Sequence, residues 1–189
     1  MVSLFPDLVK FAAATESGEK TAIQVASKNL SADDIRELGR LLHLFFGFPK
    51  VLRAFSFLTL GESKEPPPPL SRQPQQPGVD FFHKIYGNKA PRVLEHLENK
   101  DPFLHAWILD HAYGRVLCRD YFSLQIRLRL MLLCLAKLDC WDQWESHARN
   151  ALAFPIGVEK VIGDLGMGHW LDEQQQHHAS QRLRELAKE

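Results

Sequence analysis

Residues 31–58 read SADDIRELGRLLHLFFGFPKVLRAFSFL, and this stretch decides the fold class. Its apolar residues recur every three or four positions, which is typical of the buried side of a helix. Ser31 is a favourable N-cap, while Gly47 followed by Pro49 is typical of one helix ending and the next beginning. We therefore predict a helix from Ser31 to Gly47 and another over 49–59. The predicted buried residues are Ile35, Leu38, Leu42 and Phe45 in the first helix, and Val51, Leu52, Phe55 and Leu58 in the second.

The same period of about 3.6 residues continues through most of the chain. It predicts a first helix with Leu4, Leu8 and Phe11 on its apolar side. Asp101-Pro102 is a cap followed by a proline suited to the first helical position. No segment alternates as a strand does, so we predict an all-α fold. The further predicted helices are 20–29, 79–86, 90–98, 102–118, 124–138, 140–153, 157–164 and a polar one over 169–189.

Composition excludes several classes of protein. The 189 residues include 23 Lys and Arg and 23 Asp and Glu, so no basic excess is present to bind nucleic acid. No apolar run reaches the length of a membrane span, and the first residues lack a secretory pattern. The three cysteines, Cys118, Cys134 and Cys140, match no disulfide framework or zinc set. We expect reduced thiols, a cytoplasmic protein and no metal.

Residues 61–78 hold six of the eleven prolines, including four in succession at 66–69. Such a run favours polyproline II and forbids a helix. We predict a semi-rigid spacer here, and a docking site for a proline-binding partner is the alternative.

Several stretches, in order, resemble a known superfamily: DDIRELGRLLHLFFGFPKVLRAFSFL, FFHKIYGNKAPRVLEHL, HAYGRVLCRDYFSLQIRLRLMLLCLAKL and ESHARNAL. They are similar to the carboxymuconolactone decarboxylase and alkylhydroperoxidase D-like superfamily. The resemblance implies an all-α bundle with one partial unit (1–60), the spacer (61–78), one full unit (79–171) and a C-terminal polar helix (172–189). It also implies a homo-oligomer, commonly a trimer or hexamer, without a cofactor.

The resemblance places the site on helix 140–153. The peroxidase branch carries a Glu, then eleven residues, then Cys-x2-Cys-x3-His. Aligned on His147, only Cys140 also matches, because Gln143 replaces the second Cys and Leu128 the Glu. A peroxidase of this kind needs a second thiol to form the disulfide, and an amide cannot replace it.

Helical spacing leads to the same residues. Cys140, Gln143 and His147 are at i, i+3 and i+7 and share one face, which Trp144 borders. His147 is the predicted acid–base group, and Cys140, near a helix start that favours thiolate, the predicted reactive thiol. Gln143 and Trp144 would contact the substrate, and Arg127 would bind its carboxylate. The alternative is that His147 is a structural histidine.

Three functions follow as hypotheses. The first is a cofactor-free decarboxylase or lyase acting on a small carboxylated metabolite. The second is a thiol-dependent (peroxiredoxin-type) alkylhydroperoxidase or redox protein that uses Cys140. The third is a non-catalytic oligomeric helical protein. In each case we expect no nucleic-acid or membrane partner.

Overall fold

A computed structural model of the protein describes residues 4–63, 65 and 76–189. Within these ranges every regular element is a helix, which confirms the predicted all-α class. Residues 64 and 66–75 of the predicted spacer lie outside the described residues.

The described ranges contain ten α-helices, joined to helical segments of other types. A π-helical segment, Ile108–Leu117, continues directly from the sixth helix, and 3₁₀ turns span Gly87–Lys89 and Met167–His169. The α-helices are α1 (Phe5–Ser17), α2 (Lys20–Ala26), α3 (Ala32–Ser56), α4 (Gln76–Tyr86), α5 (Ala90–Lys100), α6 (Pro102–Trp107), α7 (Leu124–Lys137), α8 (Trp141–Leu152), α9 (Val158–Leu165) and α10 (Glu173–Leu186).

The chain divides into two compact units. The first unit comprises Met1–Glu62 and Phe122–Glu189, and the second comprises Ser63–Tyr121. The first unit therefore contains α1–α3 and α7–α10, whereas the second contains α4–α6 and the π-helical segment. The repeat boundaries expected from the resemblance, 1–60, 61–78, 79–171 and 172–189, stay a prediction.

Helix α3 begins and bends where its sequence predicts. The Asp34 backbone N–H donates to Ser31 Oγ (3.0 Å), and the Ser31 backbone N–H donates to the Asp34 carboxylate (2.9 Å). Gly47 has a φ of 74° and a ψ of 164°, which interrupts the helix before Pro49. Such a φ suits glycine because a side chain would be strained there.

The predicted buried face after Gly47 is wrong at Leu52, which is 64% exposed. Val51 is buried as predicted, Ala54 is buried where Leu52 was expected to be, and Phe55 and Leu58 are half-buried. Consecutive helical residues are turned by about 100° around the axis, so the side centred on Val51 and Ala54 excludes Leu52.

Helix α7 is the centre of the first unit, since every residue from Arg127 to Ala136 is buried. A helix that is buried on all sides needs partners for its polar groups. The Arg129 guanidinium donates to both oxygens of Asp164 on α9 at 2.5 Å, and it lies 3.5 Å from the centre of the Phe5 ring on α1. One buried cation thus connects three helices.

The second unit is organised by a close crossing of α4 and the π-helical segment. A Cβ atom added to Gly78 would lie 2.1 Å from the Leu109 carbonyl oxygen and 2.9 Å from Gly114 Cα. Beside this crossing, the Tyr113 hydroxyl donates to the Tyr86 hydroxyl at 3.2 Å. The sequence predicted an ordinary α-helix over 102–118, so the change to π-helical hydrogen bonding at Ile108 corrects that prediction.

Candidate functional site

Helix α8, which holds most of the predicted site residues, packs between α7 and α10. On the α10 side, Arg182 donates to the Glu145 carboxylate at 2.9 Å, and the rings of Trp141 and His178 are 4.2 Å apart. The hydrogen bond from Arg182 lowers the pKa of Glu145 below its usual value. These contacts join α8 to α10, and the fully buried residues of α8 include Trp144 and Ala148.

His147 is half-buried as a residue, and its Nδ1 atom is buried. The loss of water around the ring lowers the pKa of His147 to about 4. The imidazole is therefore neutral at neutral pH, with one nitrogen that donates a hydrogen bond and one that accepts. A neutral imidazole can accept a proton or stabilise a developing oxyanion, but it has no second proton to give.

Two buried side chains beside His147 carry N–H groups that the protein leaves unused. Trp144 is fully buried, and its Nε1 atom has no hydrogen-bond acceptor among the described residues. The same holds for Nδ2 of Asn150, a residue that is 7% exposed. Buried donors without acceptors are rare because each costs free energy.

Asn150 was not among the predicted site residues. It follows His147 by three positions, as His147 follows Trp144, so the three residues form one ridge of α8. Helical spacing alone would therefore have found it.

The connection between α7 and α8 separates the predicted site residues into two groups. Three residues, 138–140, join these packed helices, so they are antiparallel. The Gln125 side-chain amide accordingly reaches the Pro155 carbonyl at 3.4 Å. Arg127 lies as many residues before the connection as Ala151 lies after it, so these two residues are level along the hairpin. Ala151 follows His147 by four residues, which places Arg127 about 6 Å from His147 along the axis.

Arg127, which is 7% exposed, therefore belongs to the same end of the hairpin as His147 and Asn150. Cys140 lies at the opposite end, whereas Gln143 precedes His147 by about one helical turn, or about 6 Å along the axis. Cys140 is the half-buried N-cap residue of α8, about 10 Å from His147 along the axis. Its thiol donates to the Leu138 carbonyl (3.6 Å), and Gln143 is exposed to solvent.

Of the other two thiols, Cys134 is poorly suited to redox chemistry. Cys134 is fully buried in α7, and burial raises the pKa of its thiol far above the usual value. Such a thiol is inert because the reactive form is the thiolate. Cys118 belongs to the second unit, where its thiol donates to the Gly114 carbonyl at 3.1 Å.

Two other features, a metal site and a membrane-spanning helix, are not found among the described residues. Across residues 4–63, 65 and 76–189, no three or more His, Cys, Asp or Glu side chains are grouped so as to hold a metal ion. In the same ranges no helix combines the length and apolar character needed to cross a bilayer.

Comparison with known proteins gives one distant relative. The chain is 26% identical over 123 residues to Peroxisomal protein 2 of Schizosaccharomyces pombe (strain 972 / ATCC 24843), and the match covers 61% of this chain. It spans 58% of that relative's length. No family model and no solved structure matches the chain. Membership of the carboxymuconolactone decarboxylase and alkylhydroperoxidase D-like superfamily therefore stays a prediction.

Proposed function

We propose that this protein is a cofactor-free decarboxylase or lyase, similar to carboxymuconolactone decarboxylase, that acts on a small carboxylated metabolite. The observation that supports this most directly is the position of Arg127 level with the His147 end of α8. A cation for a carboxylate and a neutral imidazole are the two groups that the reaction needs, and they lie within about two helical turns of each other.

Each residue has a distinct part in the proposed reaction. The Arg127 guanidinium binds a carboxylate of the substrate through paired hydrogen bonds. When the bond to the departing carbon dioxide breaks, its electron pair moves into the substrate and forms an enolate. The N–H of neutral His147 donates to the enolate oxygen, and the enolate carbon takes its proton from water. In a water-poor site such a hydrogen bond strengthens as charge develops.

Trp144 and Asn150 extend this set of donors. Their unused N–H groups lie on the same ridge of α8 as His147 and suit a substrate with several oxygens. We therefore assign Asn150 to substrate binding, together with the predicted residues Trp144 and Arg127.

The experiment measures carbon dioxide release from a panel of small keto acids and lactone carboxylates. For the substrate that turns over, Arg127→Lys should raise KM, because lysine cannot form the paired hydrogen bonds. His147→Gln should lower kcat about a hundredfold. Arg92→Lys, at an exposed position on α5, is the matched control. Turnover that survives His147→Gln but is lost in Cys140→Ser would refute the proposal in favour of the thiol-dependent alternative.

A second candidate, the non-catalytic oligomeric protein, is favoured by an apolar surface on α6. Phe103, Leu104 and Trp107 are 73%, 53% and 63% exposed, although large apolar side chains normally avoid water. We propose that this surface, defined by those three residues, contacts a second copy of the chain, giving the expected trimer or hexamer.

Sedimentation of the intact protein tests that candidate. Trp107→Glu should dissociate the oligomer, because a charge on this surface is costly to bury. Asn99→Glu, at an exposed position on the preceding helix, introduces the same charge and serves as the control. An oligomer that survives Trp107→Glu would exclude this surface.

The thiol-dependent alkylhydroperoxidase or redox protein stays an untested alternative. It would depend on Cys140 without Cys134 as a resolving thiol, because Cys134 is buried. The expected cytoplasmic location also stays a prediction, and the name of the fission-yeast relative adds the peroxisome as a second proposal. Imaging a fluorescent fusion beside a peroxisomal marker distinguishes the two locations.

A further inference from the structure

A cavity of about 570 Å³ opens between α1 and α2 in the first unit, on elements that contain none of the residues of the proposed active site. Its floor is apolar and consists of short side chains. Ala13 and Ala14 contribute from α1, and Ala22, Val25 and Ala26 contribute from α2. Val25 is 57% exposed, so an apolar ligand that covered it would remove apolar surface from water.

The rim of this cavity carries an excess positive charge. Asp7 is already engaged, because its carboxylate accepts hydrogen bonds from Lys10 Nζ (3.3 Å) and from Asn29 Nδ2 (3.4 Å). Lys28 is exposed and makes no ion pair with any described residue. An apolar floor with one uncompensated ammonium at its edge is complementary to an apolar molecule that ends in a negative charge.

We propose that the α1–α2 cavity binds an amphiphilic monocarboxylate, with its alkyl chain over the alanines and Val25 and its carboxylate at Lys28. The volume lies within the range of small-molecule sites. This ligand is separate from the substrate of the proposed reaction, and the inference does not depend on that reaction.

Calorimetric titration of the full chain with decanoate tests the proposal. We expect one saturable site, with 1-decanol binding more weakly and decyltrimethylammonium binding least. Lys28→Gln should raise the decanoate Kd about fivefold, as the loss of an exposed ion pair does. Lys20→Gln is the matched control, because Lys20 is on α2 but does not line the cavity.

Ala22→Trp tests the location of the ligand. Ala22 is exposed, so an indole there fills the cavity without entering the core, and decanoate binding should fall at least tenfold. Amide chemical shifts of the unsubstituted protein provide the same test without any change in sequence. The largest changes should fall on α1 and α2.

Three results would overturn the proposal. These are the absence of saturable decanoate binding, binding of 1-decanol or decyltrimethylammonium as tight as that of decanoate, and shift changes centred on other helices. None of them affects the proposed decarboxylase, whose test uses α7 and α8.

Discussion

The depressed pKa of His147 predicts how the stability of the protein depends on pH. An unfolded chain holds this histidine at its ordinary pKa of about 6.5, whereas burial lowers the pKa to about 4 in the folded chain. Above pH 7 both states are neutral here, and the full stability is present. As the pH falls, the unfolded state binds a proton that the folded state does not, so the free energy of unfolding decreases.

The magnitude follows from the two pKa values. Between pH 7.5 and pH 5 the unfolded state gains almost one full proton at this site and the folded state gains little. The difference amounts to about 2 kcal/mol of unfolding free energy. Replacement by glutamine removes the titration, so the His147→Gln variant should lose about 2 kcal/mol less than the unsubstituted protein over this interval.

Urea unfolding followed by tryptophan fluorescence at pH 7.5, 6.5, 5.75 and 5 measures this difference. Every other titrating group is common to both proteins and cancels in the comparison. His177→Gln, at an exposed position on α10, is the control. It checks that replacing a histidine elsewhere does not by itself reduce the pH dependence of the unfolding free energy. Equal pH dependence in the unsubstituted protein and His147→Gln would refute the reasoning, because the ring would then be hydrated in the folded state.

Three further predictions concern stability and can be checked by denaturant unfolding. Arg129→Met should lower the free energy of unfolding by about 3–5 kcal/mol, because it leaves the Asp164 carboxylate buried without its cation. The double variant Arg129→Met with Asp164→Leu should recover most of that loss. A double variant no more stable than the single one would contradict this. Gly78→Ala should destabilise the second unit by more than about 2 kcal/mol, because its Cβ would overlap the Leu109 carbonyl oxygen, and near-normal stability would mean that the crossing can open. Ser31→Ala should cost about 1 kcal/mol by removing the α3 cap, and no measurable loss would show that water replaces the hydroxyl.

Local chemistry explains the parts of the fold that the sequence predicted well. The cap at Ser31 and the interruption at Gly47 depend only on residues a few positions away, and both are confirmed. The apolar period of α1 likewise needs no distant partner to be recognised, and Leu8 and Phe11 are buried as predicted.

Two of the features that were missed depend on contacts between distant residues. The π-helical segment carries Gly114, whose close approach to Gly78 involves residues 36 positions apart, and no local spacing indicates it. The antiparallel connection of α7 and α8, rather than the spacing within α8, determines that Arg127 accompanies His147 while Cys140 does not. Helical spacing identified Trp144, which is fully buried, but it does not show which residues of α7 lie level with His147.

The discontinuity of the first unit has a consequence for synthesis on the ribosome. The contact of the Arg129 guanidinium with Phe5, and its ion pair with Asp164, join residues separated by most of the chain. At about 5–20 residues per second, α1 therefore waits roughly 7–30 s for α9 to be made. Meanwhile the second unit, continuous in sequence, is complete well before α9. The Phe5 ring therefore lacks its Arg129 contact, with Arg129 paired to Asp164, throughout that interval, when a chaperone that holds apolar side chains would have its longest opportunity to bind.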